Sequence, residues 1–355
     1  MRRILCLLAL LALAALLLVR LPSADRTLPG TLPSQRELVR IWTISAPGGA
    51  MSWLRHVLRD WEGKHPGVQT YVRQVDASAL AQPDAVLPDL VLYMPGDLAS
   101  PEGFAPIEGE MEAEEALLRC GRWQGRQMAV PLCWGGYVLA IADGVEDAGV
   151  ATPAPTALLG AAAPSSALPT ATPPYPVRAV RTHADPLQCP QGAALFTLAL
   201  MLPGERPTFA GDFGSLSAEQ VYQRFLAGKC ASAVLTTGQA FALGAAPCRV
   251  MTADEIITDQ VWLASIPEGA CASVASLIAA LMDTDAQRQL ARQGLHGVNG
   301  TLRLYASGTP GDVQRAAMHG LTVINAFIPR EEVTRAAWRV LGGQQELSDA
   351  LLPLL

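Results

Sequence analysis

The stretch WEGKHPGVQTYV, Trp61 to Val72, sets two kinds of backbone side by side. Upstream of it, Met51, Leu54, Leu58 and Trp61 recur at helical spacing, with Arg55, Arg59 and Asp60 among the positions between them. Ser52 is placed to cap that helix. Pro66-Gly67 then ends it, because proline cannot continue a helix and glycine turns freely. The run VQTYVRQV that follows is rich in β-branched residues and reads as a strand. Lys64 and His65 at the turn have the chemistry of an active site or of plain punctuation. The rest of the chain decides between them.

Working outward, ELVRIWTI (Glu37 to Ile44) is a strand before the helix, separated from it by the loop SAPGGA. PDLVLYM (Pro88 to Met94) is an apolar run of strand length beyond it. The resulting β-α-β-β order predicts an α/β sheet with parallel strands. GRWQGRQMAVPLCWGGYVLAIAD (Gly121 to Asp143) holds a turn, a short strand and a longer apolar strand. Between Ala151 and Pro176 the composition turns to Pro, Ala, Thr and Ser, which predicts a surface insert without a long helix. Structure resumes at GAALFTLALML. Ser217 with Gln220 forms a capping-box pattern before the apolar face Ala218, Val221, Tyr222 and Phe225, and Gly228 is placed to end that helix. CASAVLTT reads as a strand, and ACASVASLIAALM, TDAQRQLARQG, REEVTRAAWRVLGG and QELSDALLPLL read as helices.

The chain has 355 residues, half of them apolar, enough for two domains. A net charge of −6 without a basic stripe argues against a nucleic-acid partner. Arg2 and Arg3 precede a purely apolar run from Ile4 to Val19, which reads as an export signal, short of the roughly 20 residues of a membrane span. Its cleavage site is poor, since Pro22 stands where a small residue is wanted, so the segment is either a signal or a retained anchor. The polar, Pro-rich stretch after it reads as a tether. Beyond Cys6, six cysteines leave disulfides and buried thiols equally open. No nucleophile elbow or phosphate-binding loop is present. The DFG at Asp212 lacks the partners of a kinase site. His183 and Cys189 alone are too few for a metal. The run EGEMEAEEALLR is a solvated helix start.

Several of these pieces stand in a recognisable order. WEGKHPGVQTYV after a strand containing IW, LPDLVLYMPGDL, GRWQGRQMAVPLCWGGYVLAIADGVEDAGVATPAPT and VYQRFLAGKCASAVLTTGQAF together resemble the family-1 extracellular solute-binding proteins, the maltose-binding-like periplasmic group. DAQRQLARQG and LGGQQELSDAL also fit in order, so the resemblance spans roughly Leu38 to Leu352. The chain departs from that pattern at Ala140-Ile141-Ala142-Asp143, where the family has Tyr-Asn, and after Thr156, where its Trp and long helix give way to the Pro-rich insert.

The resemblance implies an α/β fold of two-lobed periplasmic-binding type II architecture with crossover hinge strands. Residues 1–24 are then signal or anchor and 25–36 a tether. Residues 37–140 and 262–303 form one lobe, and 141–261 and 304–355 the other, with the insert at 151–176. It implies a non-enzymatic, monomeric receptor outside the cytoplasmic membrane. Such a receptor needs no cofactor or metal and delivers a small solute, a sugar or oligosaccharide above all, to ABC permease subunits. A membrane-anchored paralogue without transport, or a secreted hydrolase, are the other readings. In open α/β sheets ligands meet the carboxyl ends of strands. That rule selects Thr43 and Ser45, Met94 and Asp97, Trp134 and Tyr137, Thr237, Gln239 and Phe241, and Trp262 as cleft wall. By the same rule Lys64 and His65 fall at the far end of the sheet, without a site role.

Overall fold

A computed structural model describes residues 36–82, 87–143, 185–201, 214–244 and 246–355. The expected export segment, the tether through residue 35, the insert at 151–176 and His183 lie outside the described residues. Among the described residues no helix is long and apolar enough to cross a membrane.

The helix at the start of the chain forms because one face of it is apolar. In α1 (Ala50–Lys64), Ala50, Trp53, Leu54, Val57, Leu58 and Trp61 are buried. Burying each of the larger side chains contributes about 1.5–3 kcal/mol. Met51 stays half-exposed. Ser52 does not cap the helix. Gly49 does, at φ +84°, a conformation favoured by glycine, and Ser52 lies within the first turn, donating its N–H to the Gly49 carbonyl. At the other end His65 donates to the Trp61 carbonyl at 2.9 Å and stacks on the Trp61 ring at 4.7 Å. His65 is the helix terminus, as its place in the sheet implied.

α1 lies between β1 (Glu37–Thr43) and β2 (Val68–Gln74). β1 pairs in parallel with β3 (Leu90–Tyr93), which is buried at every position. The all-parallel expectation stops there. β13 (Val261–Pro267) enters antiparallel between β3 and β4 (Phe104–Ala105), and β7 (Val130–Trp134) pairs antiparallel with β13, so the six-stranded sheet is mixed. The β7–β13 register shifts between Trp262 and Leu263, opposite Pro131. Proline cannot donate to the ladder, and bulges form where it sits.

A second sheet has four strands. β8 (Tyr137–Ala142) and β10 (Cys230–Thr236) run antiparallel at its centre, flanked by β11 (Cys248–Met251) and β9 (Asp185–Gln188). α3 (Ala194–Met201) packs against this sheet. α4 (Ala218–Leu226) packs on it too, with the expected Ser217–Gln220 capping box in both directions. The chain passes from the first sheet to the second at Gly135-Gly136. It returns through β12 (Ile256–Thr258), which pairs with β14 (Leu321–Val323), and then through Asp259-Gln260 into β13. These are the crossover strands.

Cys120, Cys133 and Cys189 are buried free thiols, and burial pushes all three up from the ordinary thiol range. They pack as small apolar groups.

Candidate functional site

The site is built where loops from the two sheets meet. After β1, Ser45 stands at the mouth of the loop, its carbonyl held by the Trp262 indole N–H at 2.8 Å. After β3 the chain turns at Gly96-Asp97. One Asp97 carboxylate oxygen accepts the Met94 N–H at 2.9 Å and the Ser45 hydroxyl. The other faces Arg330 Nη2 at 3.4 Å, and the same nitrogen reaches the Pro95 carbonyl at 3.3 Å. Arg330 opens α9 (Arg330–Leu341), a helix that packs on α3. A cation in the first turn opposes the helix dipole. Glu331 and Glu332 in the same turn suit the dipole, and Asp97, on the turn after β3, faces the guanidinium.

Behind this pair lies a second polar group at the crossover. The Asp259 carboxylate is almost fully buried. Its Oδ1 accepts the Tyr137 hydroxyl at 2.5 Å and its Oδ2 the Ala193 N–H at 3.0 Å, ahead of α3. Gln260 Nε2 donates to the Tyr137 hydroxyl at 2.7 Å. Burial first, and then the Asp259 charge, push the Tyr137 phenol well above its usual range. Gly192 stands so close to Asp259 that a β-carbon there has no room, and that position also borders the Arg330 side chain. The two polar groups are thus contiguous.

Ser45, Asp97 and Tyr137 are drawn into this cluster. Met94 is nearly buried and contributes its backbone N–H. Thr43 is buried, with its hydroxyl unpartnered. Thr237 clasps Gly136, accepting its N–H at 2.9 Å and donating to its carbonyl at 3.0 Å. Gln239 is occupied elsewhere. It forms a second capping box with Thr236 at the head of α5 (Thr237–Leu243), accepting the Thr236 N–H at 3.1 Å, and it donates to the Ala218 carbonyl at 3.1 Å.

The aromatic residues differ most from expectation. Trp134 is 3 % exposed, with His296 stacked on its ring at 4.4 Å and its indole N–H given to the Gly297 carbonyl. Trp262 is fully buried, edge-on to Trp53 at 6.3 Å. Tyr137 is 2 % exposed. The protein itself covers all three rings. Among the ten expected wall residues only Phe241 is exposed, at 42 %. Arg330, Asp259 and Gln260 were not among them. An arginine opening the helix REEVTRAAW, and TDQ between two apolar strands, are the signals they leave in the sequence. Among the described residues no group of three or more ligating side chains is arranged for a metal.

Neither a family model nor a curated protein matches the chain. Solved structures do match, at probability 1.00. The GacH receptor of Streptomyces glaucescens, determined unliganded and with acarbose, aligns at TM-score 0.57 and 14 % identity over 89 % of this chain and 95 % of its own. CpMnBP1 with mannotriose bound aligns at 0.56 and 12 % identity over 90 % and 98 %. The ABC substrate-binding protein Lmo0181 from Listeria monocytogenes, with cycloalternan, aligns at 0.55 and 13 % identity over 89 % and 96 %. The chain therefore has the two-lobed, type II periplasmic-binding fold of maltose-binding-like proteins, along nearly its whole described length.

Proposed function

We propose that the chain is the extracytoplasmic solute-binding component of an ABC importer. It holds a small polar solute, a carbohydrate, between two lobes and hands it to membrane permease subunits. The observation that carries this reading is the junction of Ser45, Asp97 and Arg330, where the loops at the carboxyl ends of β1 and β3 meet the head of α9. A carboxylate, a guanidinium and a hydroxyl in a part-buried setting suit sugar hydroxyls, each of which donates and accepts. The sugar ligands of the similar structures support the same class of solute.

In this reading the lobes rock about Gly135-Gly136 and Asp259-Gln260, and their expected bounds move to match: Tyr137 to Ala140 pair within the second sheet and belong to the second lobe, and Val261 pairs within the first sheet and belongs to the first. Ser45, Asp97 and Phe241 stay in the wall, Arg330 joins them, and buried Tyr137, Thr237, Asp259 and Gln260 brace the crossover behind them. No bond is made or broken, and the receptor acts as a monomer. The N-terminal apolar run is its export signal or its anchor on the outer side of the cytoplasmic membrane.

A thermal-shift screen of the purified protein against sugars, amino acids and polyamines tests the proposal. A solute bound only by the folded state raises the melting temperature with concentration. A concentration-dependent rise with a sugar is the expected result. A screen in which none of these solutes shifts the transition would remove the transport reading.

A further inference from the structure

A cavity of about 310 Å³ opens beside the crossover and shares no residue with the junction of Ser45, Asp97 and Arg330. Trp134, which immediately precedes Gly135-Gly136, forms part of its wall. α8 (Gly308–His319) forms another part through Gln314, Ala317 and Met318, and its Val313 lies 3.0 Å from where a β-carbon on Gly136 would stand. Glu114, just ahead of α2 (Glu115–Cys120), and residues between Gly297 and Arg303 complete it. Hydrogen bonds tie these walls to one another. Glu114 donates its N–H to the Val298 carbonyl at 2.9 Å. Trp134 gives its indole N–H to the Gly297 carbonyl at 2.9 Å, and Gln314 gives its amide N–H to the Leu302 carbonyl at 2.7 Å. Walls already held in place cost little ordering when a guest binds.

Two opposite charges line this cavity without touching. The Glu114 side chain is half-buried, and one of its carboxylate oxygens lies 3.5 Å from where a β-carbon on Gly300 would stand. Burial raises the Glu114 carboxyl above its usual range, and the Arg303 charge pulls it part of the way back. Arg303 is exposed and stands at the rim. Among the described residues neither side chain makes a hydrogen bond or an ion pair. A neutral guest would strand both charges, and a guest with one charge would be repelled by one of the two residues. A guest with both charges satisfies each. Its ammonium donates to the Glu114 carboxylate, and its carboxylate accepts two parallel bonds from the Arg303 guanidinium. Leu302, Ala317 and Met318 offer apolar surface beside them. The volume stands at the small end of the roughly 300–1,000 Å³ of ligand sites, which suits a compact guest.

We infer that this cavity is a second binding site and takes a small zwitterion, an α-amino acid with an apolar side chain. Glu114 holds the ammonium, Arg303 holds the carboxylate at the rim, and Leu302, Ala317 and Met318 face the side chain. The site goes beyond the solute-binding reading and stands whether or not Asp97 and Arg330 hold a sugar.

Isothermal titration of the full-length protein tests it, with L-valine, L-leucine and L-methionine set against their amides and their N-acetyl derivatives. The amide lacks the carboxylate and the N-acetyl derivative lacks the ammonium. At least one amino acid binds, and both of its derivatives bind at least about tenfold more weakly, the loss of one charged hydrogen-bonding partner. Glu114→Gln and Arg303→Gln each weaken that amino acid by a similar factor and leave any sugar-induced rise in melting temperature unchanged. Three amino acids that all fail to bind overturn the inference and leave the solute-binding reading standing. A derivative that binds as tightly as its parent shows that the cavity does not read both charges, and overturns it as well. So does amino-acid binding that survives both substitutions in folded proteins, because it puts the guest elsewhere. A sugar response lost with either substitution merges the two sites and overturns the claim of a second one.

Discussion

His296→Phe makes the protein more resistant to acid. The imidazole is buried between Trp134, stacked at 4.4 Å, and Tyr305, edge-on at 5.3 Å. Neither ring nitrogen has a hydrogen-bond partner. Desolvation therefore lowers its pKa from 6.5 to about 3. The sign follows from proton uptake. Above pH 6.5 the ring is neutral in both states. Below that only the unfolded chain takes a proton, so stability is complete at neutral pH and falls with acidification until the buried ring itself titrates. With those two pKa values the loss between pH 8 and pH 5 is about 2 kcal/mol. Phenylalanine keeps the stack, abandons no hydrogen bond and does not titrate. At pH 8 the swap costs less than about 1.5 kcal/mol, as close-volume core exchanges do. Urea unfolding of both proteins at pH 8 and pH 5 reads the difference directly. The gap between variant and wild type moves by about 2 kcal/mol in favour of Phe on going to pH 5. A gap that stays constant to within about 0.5 kcal/mol refutes the buried, neutral histidine.

Asp259→Asn destabilises by about 2–4 kcal/mol, because one amide cannot accept from both Tyr137 and Ala193, and charge-assisted bonds are the stronger kind. A double-mutant cycle with Tyr137→Phe returns a coupling above about 1 kcal/mol, and additive losses would contradict the hydrogen bond. Gly294→Ala lowers stability by about 1–3 kcal/mol, since its φ of +68° and its closeness to Phe241 both resist a β-carbon. Adding Phe241→Ala leaves most of that loss, because the nearest clash is with the Phe241 β-carbon, which alanine keeps, and denaturant midpoints of the single and double variants check this. Raising the pH above about 10 destabilises the wild type as its unfolded tyrosines ionise while buried Tyr137 holds its proton, and Tyr137→Phe flattens that limb of a pH–stability curve.

Most of the fold was legible because its punctuation is local. Pro66-Gly67 ends α1, Ser217-Gln220 opens α4, β-branched runs mark β1 and β2 and an apolar run marks β3, all within a few residues of the element they define. The antiparallel entry of β13 was not legible, because nothing near Val261 records which strand it will join. The candidate site was legible in position and only partly in identity. The rule that loops at strand ends meet the ligand picked out Ser45 and Asp97, which the structure joins by a hydrogen bond. It could not see that His296 would cover Trp134, a contact between distant segments that burial alone produces. Gln239 carried its own warning, because T-T-G-Q is a capping box, and a side chain that satisfies a helix start is not available to a solute. Arg330 and Asp259 join the polar clusters through partners distant in sequence, which the residues alone do not show.

In the proposed receptor Asp97 and Arg330 hold the solute. Titration calorimetry of wild type, Asp97→Ala and Arg330→Ala with the sugar that most raises the melting temperature tests it most directly. Each substitution weakens binding at least tenfold while the protein stays folded. Equal affinity in all three folded proteins would contradict it.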